Sequence, residues 1–480
     1  MPESLIGLTG DTLLQAGGRS VEKLEYDLSQ LLKWYDKIHA INELSVLRYQ
    51  IKFKGPWPSH YVARLICAVS QYGTRNGKQI SRDGLVDAIN RIIETGNPAH
   101  MIVLSDQRTV ELFGQLVGRE QFPFQTAVTS RDVGRAIWLF KKLLPQPAQL
   151  WLEKKLKTNI QRSLLFAGMS AKLLDDGSKN LLFNGTTLAN SVKAGFGLHE
   201  VMAVLRTCSA KPEAIKSILD NQYESVVNRA FLWTGESPLA RYPMVRLSDW
   251  EYRSPFPNMI FPSFYRRLGD HLRSDKKHST AWGVAFSRYI ELVIGDLGAD
   301  RVLYPDREVK DRPKCDFIFC YKDFDLYVES KSTRFSRNII TKTTIENDTS
   351  TGEIARGCVQ IANSVMDGGR PSLGVVVIDD DLSFANSRWY RSRILSRNRD
   401  AAKSLRALGS FPNVWSLDVL EKVVGVSVET GLSLFDLNRE YCNDNYNQYG
   451  DWGTWLGHKY PGVSAKKLDW ISGVVRNDSE

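Results

Sequence analysis

PKCDFIFCYKDFDLYVESKS, residues 313–332, is the stretch that organises the second half of this 480-residue chain. It contains two apolar runs of strand length with a short polar segment between them, a pattern that predicts a β-hairpin. Side chains alternate between the two faces of a strand, so Glu329 and Lys331 share one face. A two-residue loop at 323–324 would place Asp316 directly opposite Lys331 and one pair along from Glu329. The hairpin is therefore expected to carry two carboxylates and one ammonium group on a single surface.

The segments on either side of this hairpin predict an α/β arrangement. Apolar residues at helical spacing predict one helix over about 280–297 and another over about 353–366. Further strands are expected at 301–304 and 373–378, and 414–424 is expected to supply a strand and a helix. This order of helix, strand, hairpin, helix and strand is typical of a central mixed sheet flanked by helices.

The charged residues of the hairpin form a set that suits phosphodiester hydrolysis. The carboxylates of Asp316 and Glu329 can hold Mg²⁺ through oxygen ligands, and the backbone carbonyl of Ser330 can add a neutral one. A bound Mg²⁺ polarises a phosphate and lowers the pKa of a bound water. Lys331 can orient that water and offset negative charge on the phosphorus. The alternative is a solvated strand face with a cross-strand ion pair, which contributes only about 0.2–1 kcal/mol.

This segment resembles the PD-(D/E)xK, restriction-endonuclease-like nuclease superfamily. The pattern is Asp316, twelve intervening residues and then Glu329-Ser330-Lys331, in a hairpin with a predicted helix on each side. The resemblance covers residues 280–424. It implies a Mg²⁺-dependent endonuclease, with Mn²⁺ as a substitute, in which Asp316 and Glu329 are metal ligands and Lys331 is the catalytic lysine.

The chain departs from the family pattern at several positions. Pro313 stands three residues before the first acid, so the Pro-Asp dipeptide is absent. In the first helix, Ser287 stands four residues after a glycine, where many members have a glutamate. Glu291 is the nearest acid and is a candidate accessory residue. On the following helix, Gln360 matches the glutamine of the recombination-nuclease branch and is a second candidate, whereas Ser364 stands where that branch has a tyrosine.

The first half of the chain is predicted to be helical and basic. Residues 51–200 carry 20 Lys and Arg against 11 Asp and Glu, and a basic surface attracts polyanions, nucleic acid first among them. A basic surface without such a partner is the alternative. Apolar residues at helical spacing predict helices at 20–40, 58–72, 81–95 and 130–144.

Arginines in the second half add candidate contacts to a phosphate backbone. Two arginines follow the ExK strand, and five lie in the segment 388–399 without an acid among them. Guanidinium groups bind phosphate through paired donors. The alternative for both segments is a solvated surface. The candidates are Arg334, Arg337, Arg388, Arg391 and Arg393.

These observations predict an α plus α/β protein with four parts. Residues 1–245 form a helical basic domain that binds nucleic acid or a partner protein. Residues 246–279, reached through a proline-rich stretch without helical period, form a linker or strap. Residues 280–437 form the restriction-endonuclease-like domain. Residues 438–480, rich in Trp, Tyr, Asn and Gly, form an irregular tail with aromatic packing.

The expected function is that of a metal-dependent endonuclease acting on nucleic acid, with DNA as the expected substrate. The family resemblance implies a setting in bacterial restriction or anti-phage defence. One alternative is a catalytically silent nuclease fold that only binds nucleic acid. The other is a scaffolding or regulatory protein whose helical half docks a partner.

Composition limits the cellular setting. The sequence has no run of about 18 apolar residues and no convincing signal peptide, which argues against membrane association. The six cysteines are scattered without a CxxC pair, as expected of reduced thiols in the cytoplasm. Because cutting a duplex often needs two active sites, a homodimer or a partner protein is expected.

Overall fold

The computed structural model describes residues 23–50, 59–96, 128–174, 182–225, 237–305, 313–334, 349–365, 370–380, 386, 388–444, 452–463 and 468–477. Contacts divide the chain into two compact units. The first holds the described residues up to Thr129 and those of 152–270. The second holds those of 130–151 and those from His271 onward. Within the described ranges, no helix is long and apolar enough to cross a membrane.

The first unit consists mainly of helices, with a small mixed sheet. Its described residues form a four-stranded sheet in the order Leu182–Phe183, Tyr252–Arg253, Met244–Arg246 and Ser209–Ala210, of which the last pair is parallel. The core of this unit is made largely from the buried faces of its helices. Its helices are 23–32, Lys37–Gln50, Ser59–Tyr72, Arg82–Gly96, Ile160–Leu174, Gly185–Lys193, Leu198–Thr207, Pro212–Ser225 and Pro238–Arg241.

The helix predicted over 20–40 is two helices where the structure describes it. A turn separates residues 23–32 from Lys37–Gln50. Asp36 stands in that turn, and its Oδ1 accepts a hydrogen bond from the backbone N–H of His39 at 2.7 Å. This contact caps the second helix, because the first amides of a helix lack partners within it. A capping residue inside a continuous apolar pattern therefore starts a new helix, and the single-helix prediction was wrong.

The second unit contains a five-stranded sheet between helices. Along the chain the elements are α1 (Ser279–Gly295), β1 (Arg301–Leu303), β2 (Phe317–Cys320), β3 (Asp325–Lys331), α2 (Thr349–Ser364), β4 (Ser372–Ile378), β5 (Asn413–Ser416) and α3 (Leu417–Thr430). The strands lie side by side in chain order. The pairs β1–β2 and β2–β3 are antiparallel, whereas β3–β4 and β4–β5 are parallel. These elements confirm the predicted strands and helices, and the coarse class of helical plus α/β structure is also confirmed.

The strand β3 is buried on both faces. Residues from Asp325 to Glu329 are all buried. One face packs against α2, where Tyr327, Ile354 and Val376 belong to the same apolar core. On the other face, the hydroxyl of Ser330 lies 2.8 Å from that of Ser287 on α1. The positions that follow the apolar part of β3 are therefore held between two helices.

Residues 130–151, which the sequence placed with the first half, belong to the second unit. Arg135 lies in the helix Ser130–Ile137 and forms two hydrogen bonds to Glu421 of α3, at 2.5 and 2.8 Å. Glu421 is fully buried and also accepts a hydrogen bond from the hydroxyl of Tyr289 on α1 at 2.7 Å. A buried carboxylate needs such partners, and losing one typically costs about 3–5 kcal/mol. The pairing joins residues far apart in sequence, so local pattern gave no sign of it.

The helix Ser130–Ile137 also approaches the last described helix, Asp469–Asn477, at very short range. A Cβ atom built on Gly134 would lie 1.8 Å from the carbonyl oxygen of Ile471. The two backbones can therefore come this close only because residue 134 has no side chain.

Two segments are more regular than the sequence suggested. The tail predicted as irregular contains the helices Leu434–Asn443, Trp452–Lys459 and Asp469–Asn477. Its expected aromatic packing is present, since the rings of Tyr441 and Trp452 stack 4.1 Å apart. The stretch interpreted as a linker contains the helix Ile260–Ser274, whose residues Phe264 and Leu268 are fully buried. In both segments, the burial of apolar residues at helical spacing stabilises helices, although local Pro, Gly and Asn residues disfavour them.

The remaining helical segments complete the description. They are the π-helix Trp138–Leu143, the α-helices Gln146–Leu156, Arg388–Arg397 and Ala402–Leu408, and the short 3-10 helices Pro257–Met259 and Arg399–Ala401.

Candidate active site

The register of the hairpin brings the two acids together. Phe317 pairs with Val328 and Cys320 with Asp325, so the same register continued by one pair places Asp316 opposite Glu329. The predicted register, with Asp316 opposite Lys331, was wrong by two residues. Four residues connect the ends of the two strands, and the turn is centred on Lys322 and Asp323, one residue earlier than the predicted loop at 323–324.

That four-residue loop, 321–324, is closed by its own aromatic pair. The rings of Tyr321 and Phe324 stack with centroids 4.7 Å apart, and the amide of Tyr321 donates to the carbonyl of Phe324 at 3.0 Å. A shift of two residues preserves the face on which each side chain lies. The predicted set of charged residues therefore stays on one end of the hairpin, although its pairing changes.

Asp316 is held in place by the strand opposite it. Its Oδ2 accepts hydrogen bonds from the backbone amide of Ser330 at 2.8 Å and from the Ser330 hydroxyl at 2.5 Å. The Ser330 hydroxyl also contacts Ser287, the residue at the position where the family resemblance led us to look for a glutamate. At this position the protein therefore has the hydroxyl group of Ser287. Two successive hydrogen bonds, through the Ser330 hydroxyl, link it to the Asp316 carboxylate.

Glu329 is the most buried acid of the set, with 2 % of its surface exposed. Burial, and after it the neighbouring charge of Asp316, raise the pKa of its carboxyl group to about 8, although Lys331 acts in the opposite direction. Gly357 of α2 makes this burial possible, because a Cβ atom there would lie 3.3 Å from Cγ of Glu329. The helix can therefore lie directly over the carboxylate.

The ammonium group of Lys331 is held between two side chains. Its Nζ lies 2.6 Å from Oε1 of Glu329 and donates to Oε1 of Gln360 at 2.7 Å. Gln360 in turn donates through Nε2 to the backbone carbonyl of Lys314 at 3.1 Å. The candidate accessory residue Gln360 therefore connects α2, the lysine and the segment that leads into Asp316.

Ser364, which stands where a tyrosine was expected, also connects α2 to the segment that leads into Asp316. Its hydroxyl donates to the carbonyl of Gln360 at 2.7 Å and accepts from the amide of Cys315 at 2.8 Å. It thus attaches the end of α2 to the residue before Asp316. Sequence reasoning missed this contact, for which a serine in place of tyrosine gave no signal.

Glu291, the other candidate accessory residue, is hydrogen-bonded to a tyrosine that follows β1. Its Oε1 accepts a hydrogen bond from the hydroxyl of Tyr304 at 2.5 Å. The ring of Tyr304 packs against that of Phe317, the residue that follows Asp316, with centroids 5.8 Å apart. The accessory role of Glu291 stays a prediction.

Of the arginine candidates, Arg334 lies beyond the end of β3. Its Nε donates to the carbonyl of Asp379 at 3.0 Å, and its guanidinium lies 3.1 Å from the Asp379 carboxylate. Arg273 also binds this carboxylate, at 2.6 Å. Asp379 directly follows Ile378, which pairs with Lys331, so both arginines lie at the same end of the sheet as the acids. Arg273 was not singled out from the sequence, where it had no distinguishing pattern.

The other arginine candidates are described only in part. The guanidinium of Arg391 lies over the ring of Phe411, 5.9 Å from its centroid. The side chains of Arg388 and Arg393 and the whole of Arg337 lie outside the described residues.

The donor set fits a hard divalent cation that keeps several waters. Among the described residues no group of three or more His, Cys, Asp or Glu could hold a metal. Mg²⁺, however, commonly binds through one or two carboxylates and completes its shell with water and substrate. Asp316 and Glu329 place two carboxyl groups side by side, and burial together with the charge of Asp316 raises the pKa of Glu329 despite the adjacent lysine. Such a pair is suited to receive a cation.

The direction of the Ser330 carbonyl follows from the geometry of the strand. In a strand the N–H and C=O groups of one residue point to the same side. The N–H of Ser330 donates to Asp316, so its carbonyl also points toward the Asp316 side of β3.

No family model, curated protein or solved structure matches this chain.

Proposed function

We propose that the second unit is a Mg²⁺-dependent endonuclease domain of the PD-(D/E)xK, restriction-endonuclease-like type, and that it hydrolyses phosphodiester bonds of DNA. The observation that carries the proposal is the meeting of Asp316, Glu329 and Lys331 at one end of the β2–β3 hairpin. Direct contacts of 3.1 Å and 2.6 Å join them. The helix that precedes the hairpin, the helix that follows it and the parallel strand β4 support the same assignment.

The residues that would hold the metal are Asp316, Glu329 and the carbonyl of Ser330. When bound, Mg²⁺ polarises the phosphate and lowers the pKa of a water ligand, and Mn²⁺ can replace it. Glu329 must be ionised to act as a ligand, and its raised pKa means that proton release accompanies metal binding. Ser287 and Ser330 orient the Asp316 carboxylate through their hydroxyl groups.

Lys331 would act on the reacting groups without binding metal, because an ammonium has no lone pair. Gln360 holds its Nζ beside the acids, so the lysine is positioned before substrate arrives. From there it can orient the attacking water and stabilise the negative charge that develops on the phosphate. A preorganised donor costs no reorganisation during the reaction.

The basic first half is proposed to contact the nucleic-acid backbone, which supplies affinity without sequence recognition. Restriction or anti-phage defence in a bacterial cytoplasm is the proposed setting. A protein that only binds nucleic acid is the competing function. The observation that favours this alternative is that Ser287, rather than an acid, contacts the Ser330 hydroxyl that binds Asp316.

Cleavage distinguishes the two functions. The full chain is incubated with supercoiled plasmid, single-stranded DNA and RNA in Mg²⁺, in Mn²⁺ and in a chelator. The proposal expects metal-dependent nicking or cutting of DNA that is lost in Asp316→Asn. The matched control is Asp323→Asn, which changes an exposed acid of the same hairpin. Metal-dependent cleavage of RNA but not of DNA would mean that the substrate is RNA rather than DNA. Binding without cleavage in either metal would favour the silent fold.

A further inference from the structure

One face of the helix 23–32, in the first unit, carries exposed aromatic side chains. Tyr26 is 64 % exposed, and Trp34, in the turn directly after the helix, is 63 % exposed. Lys23 and Gln30 are exposed as well, and the spacing of these positions by three and four residues puts them on one side of a helix. Two large rings left in water on one side indicate a surface that meets a partner. This surface, the Trp34 face, consists of Lys23, Tyr26, Gln30, Lys33 and Trp34.

The turn that presents Trp34 is fixed by a loop from another part of the first unit. The carbonyl of Trp34 accepts a hydrogen bond from the amide of Lys78 at 2.9 Å, and the carbonyl of Tyr35 accepts one from the amide of Thr74 at 3.0 Å. A Cβ atom on Gly77 would lie 2.7 Å from the carbonyl oxygen of Trp34, so this approach requires a glycine. The backbone that carries the indole is therefore set before a ligand binds, which lowers the ordering cost of binding.

Lysine side chains lie among the aromatic rings of the Trp34 face. Nζ of Lys33 lies 5.0 Å from the centroid of the Trp34 ring and donates to the side-chain carbonyl of Gln30. In the part of the chain that the structure describes, neither Lys23 nor Lys33 forms an ion pair. Asp27 is the acid on this side of the helix, and it is half-buried. Both lysine charges can therefore meet an anionic partner.

Trp250, another exposed tryptophan of the first unit, has the opposite electrostatic setting. It is 56 % exposed in the turn between two paired strands, and it stands between Asp249 and Glu251. Both tryptophans expose an indole, but lysines accompany Trp34 and acids accompany Trp250. Aromatic rings interleaved with cations suit single-stranded nucleic acid, because bases stack on the rings while cations meet the phosphates.

We propose that the Trp34 face binds single-stranded nucleic acid, with one unpaired base stacked on Trp34, another on Tyr26, and backbone phosphates beside Lys23 and Lys33. An unpaired strand is required, because the bases of a duplex are stacked on each other and offer no free ring face. The inference rests on the nucleic-acid contacts proposed for the basic first half. It adds the form of nucleic acid that this half selects.

Fluorescence anisotropy of the full chain, in chelator so that no metal-dependent cleavage consumes the probe, tests the proposal. The probes are a labelled oligothymidylate, an abasic strand of the same length and a duplex of the same length. Oligothymidylate should bind at least about tenfold more tightly than the abasic strand, which has the same phosphates but no base to stack.

Aromatic variants assign the binding to this face. Trp34→Ala should weaken the binding of oligothymidylate about tenfold and leave the abasic strand and the duplex unchanged. Trp34→Phe keeps a ring for stacking and should retain most of the affinity. Trp250→Ala is the matched control, since it removes a comparably exposed indole from the same unit. This control should bind all three probes as the wild type does.

A lysine variant tests the phosphate contacts separately. The double variant of Lys23→Ala and Lys33→Ala should weaken the oligothymidylate and the abasic strand alike. It should also lower the slope of log affinity against log salt by about 1.4, because each neutralised phosphate of a single strand contributes about 0.7.

Several results would overturn the proposal. These are equal affinity for oligothymidylate and the abasic strand, wild-type affinity in Trp34→Ala, the same loss in Trp250→Ala, and an unchanged salt slope in the lysine variant. Binding of the duplex alone would overturn it while leaving the proposed phosphate contacts of the first half intact. Failure of all three probes to bind would refute those contacts as well. Metal-dependent cleavage decides the nuclease assignment independently of these outcomes.

Discussion

The backbone amide of Asp316 donates a hydrogen bond to Oε2 of Glu329 at 3.1 Å, so the residue that carries one carboxylate binds the other. The arrangement fixes the distance between two like charges that would otherwise separate. Their repulsion raises the pKa of Glu329 in addition to the effect of burial. Two carboxylates held this close repel each other when no cation is present. A bound cation would make the same arrangement favourable.

Asp316→Asn should abolish metal-dependent cleavage and raise the thermal stability of the metal-free protein. The amide oxygen can still accept from the amide of Ser330, but the charge that opposes ionisation of Glu329 is gone. Thermal unfolding in chelator, together with plasmid cleavage, measures both effects. Full cleavage activity in this variant would remove Asp316 from the metal site.

The stability of the metal-free protein should fall as pH rises through the window set by Glu329. Its folded pKa of about 8 lies above the ordinary value of 4.5, so the folded state holds a proton that the unfolded state releases. The stabilising contribution is fully present below the ordinary value and is lost as pH passes the folded one. Mg²⁺ competes with this proton, so the stabilisation that Mg²⁺ adds should grow with pH over the same window. Melting temperatures across pH, with and without Mg²⁺, test this. An increase in melting temperature on adding Mg²⁺ that stays the same at every pH would contradict this prediction.

Lys331→Ala should cut the cleavage rate at saturating Mg²⁺ by roughly a hundredfold or more, while DNA binding stays nearly unchanged. The lysine stabilises charge that develops only during reaction, whereas a binding-only protein has no rate to lose. Lys331→Arg should not restore the rate, because the guanidinium is larger, planar and harder to deprotonate. Single-turnover cleavage and substrate affinity are measured on the same preparations. A Lys331→Ala protein that cuts at the wild-type rate would falsify the catalytic role.

Gly134→Ala should destabilise the second unit by about 1–3 kcal/mol, the usual cost of overpacking. The new methyl group would lie 1.8 Å from the carbonyl oxygen of Ile471, a backbone atom that cannot turn away. Gly473→Ala is the matched control in the facing helix, since nothing lies within 4 Å of its added carbon. That control should stabilise the protein by about 0.5–1 kcal/mol. Denaturant unfolding of both variants compares them, and equal stability would contradict the close approach.

Affinity for DNA should fall steeply with salt if residues 51–200 neutralise phosphates. Each neutralised phosphate releases bound counterions, so several contacts weaken binding about a thousandfold or more between roughly 50 and 200 mM salt. Fluorescence titration with a labelled duplex at several salt concentrations provides the measurement. An affinity that does not change over this range rules out the phosphate role of the basic half.

Local pattern predicted the elements of the second unit because its strands and helices have clear periods. The strands β3 and β4 and the helices α1 and α2 lie within a few residues of their predicted positions. The hairpin register was missed because it depends on loop geometry, which alternation does not contain. The bond from Gln360 to Lys331 links side chains on different elements, and only folding shows it.

Contacts between distant segments were beyond the reach of the sequence for the same reason. Neither the ion pair of Arg135 with Glu421 nor the approach of Gly134 to Ile471 leaves a local pattern. Helices in the tail were hidden because Gly and Asn suggest irregular chain, whereas Trp452 and Trp455 are buried by tertiary packing.

The ion pair of Arg135 with Glu421 also determines how late during translation this part of the second unit can form. The two residues are 286 positions apart, so at a translation rate of about 5–20 residues per second Arg135 is made roughly 14–60 s before its partner. Throughout that interval the helix Ser130–Ile137 lacks the Glu421 partner that it has in the finished unit. The buried pair, and with it the packing of this helix in the second unit, can therefore form only after residue 421 has been synthesised.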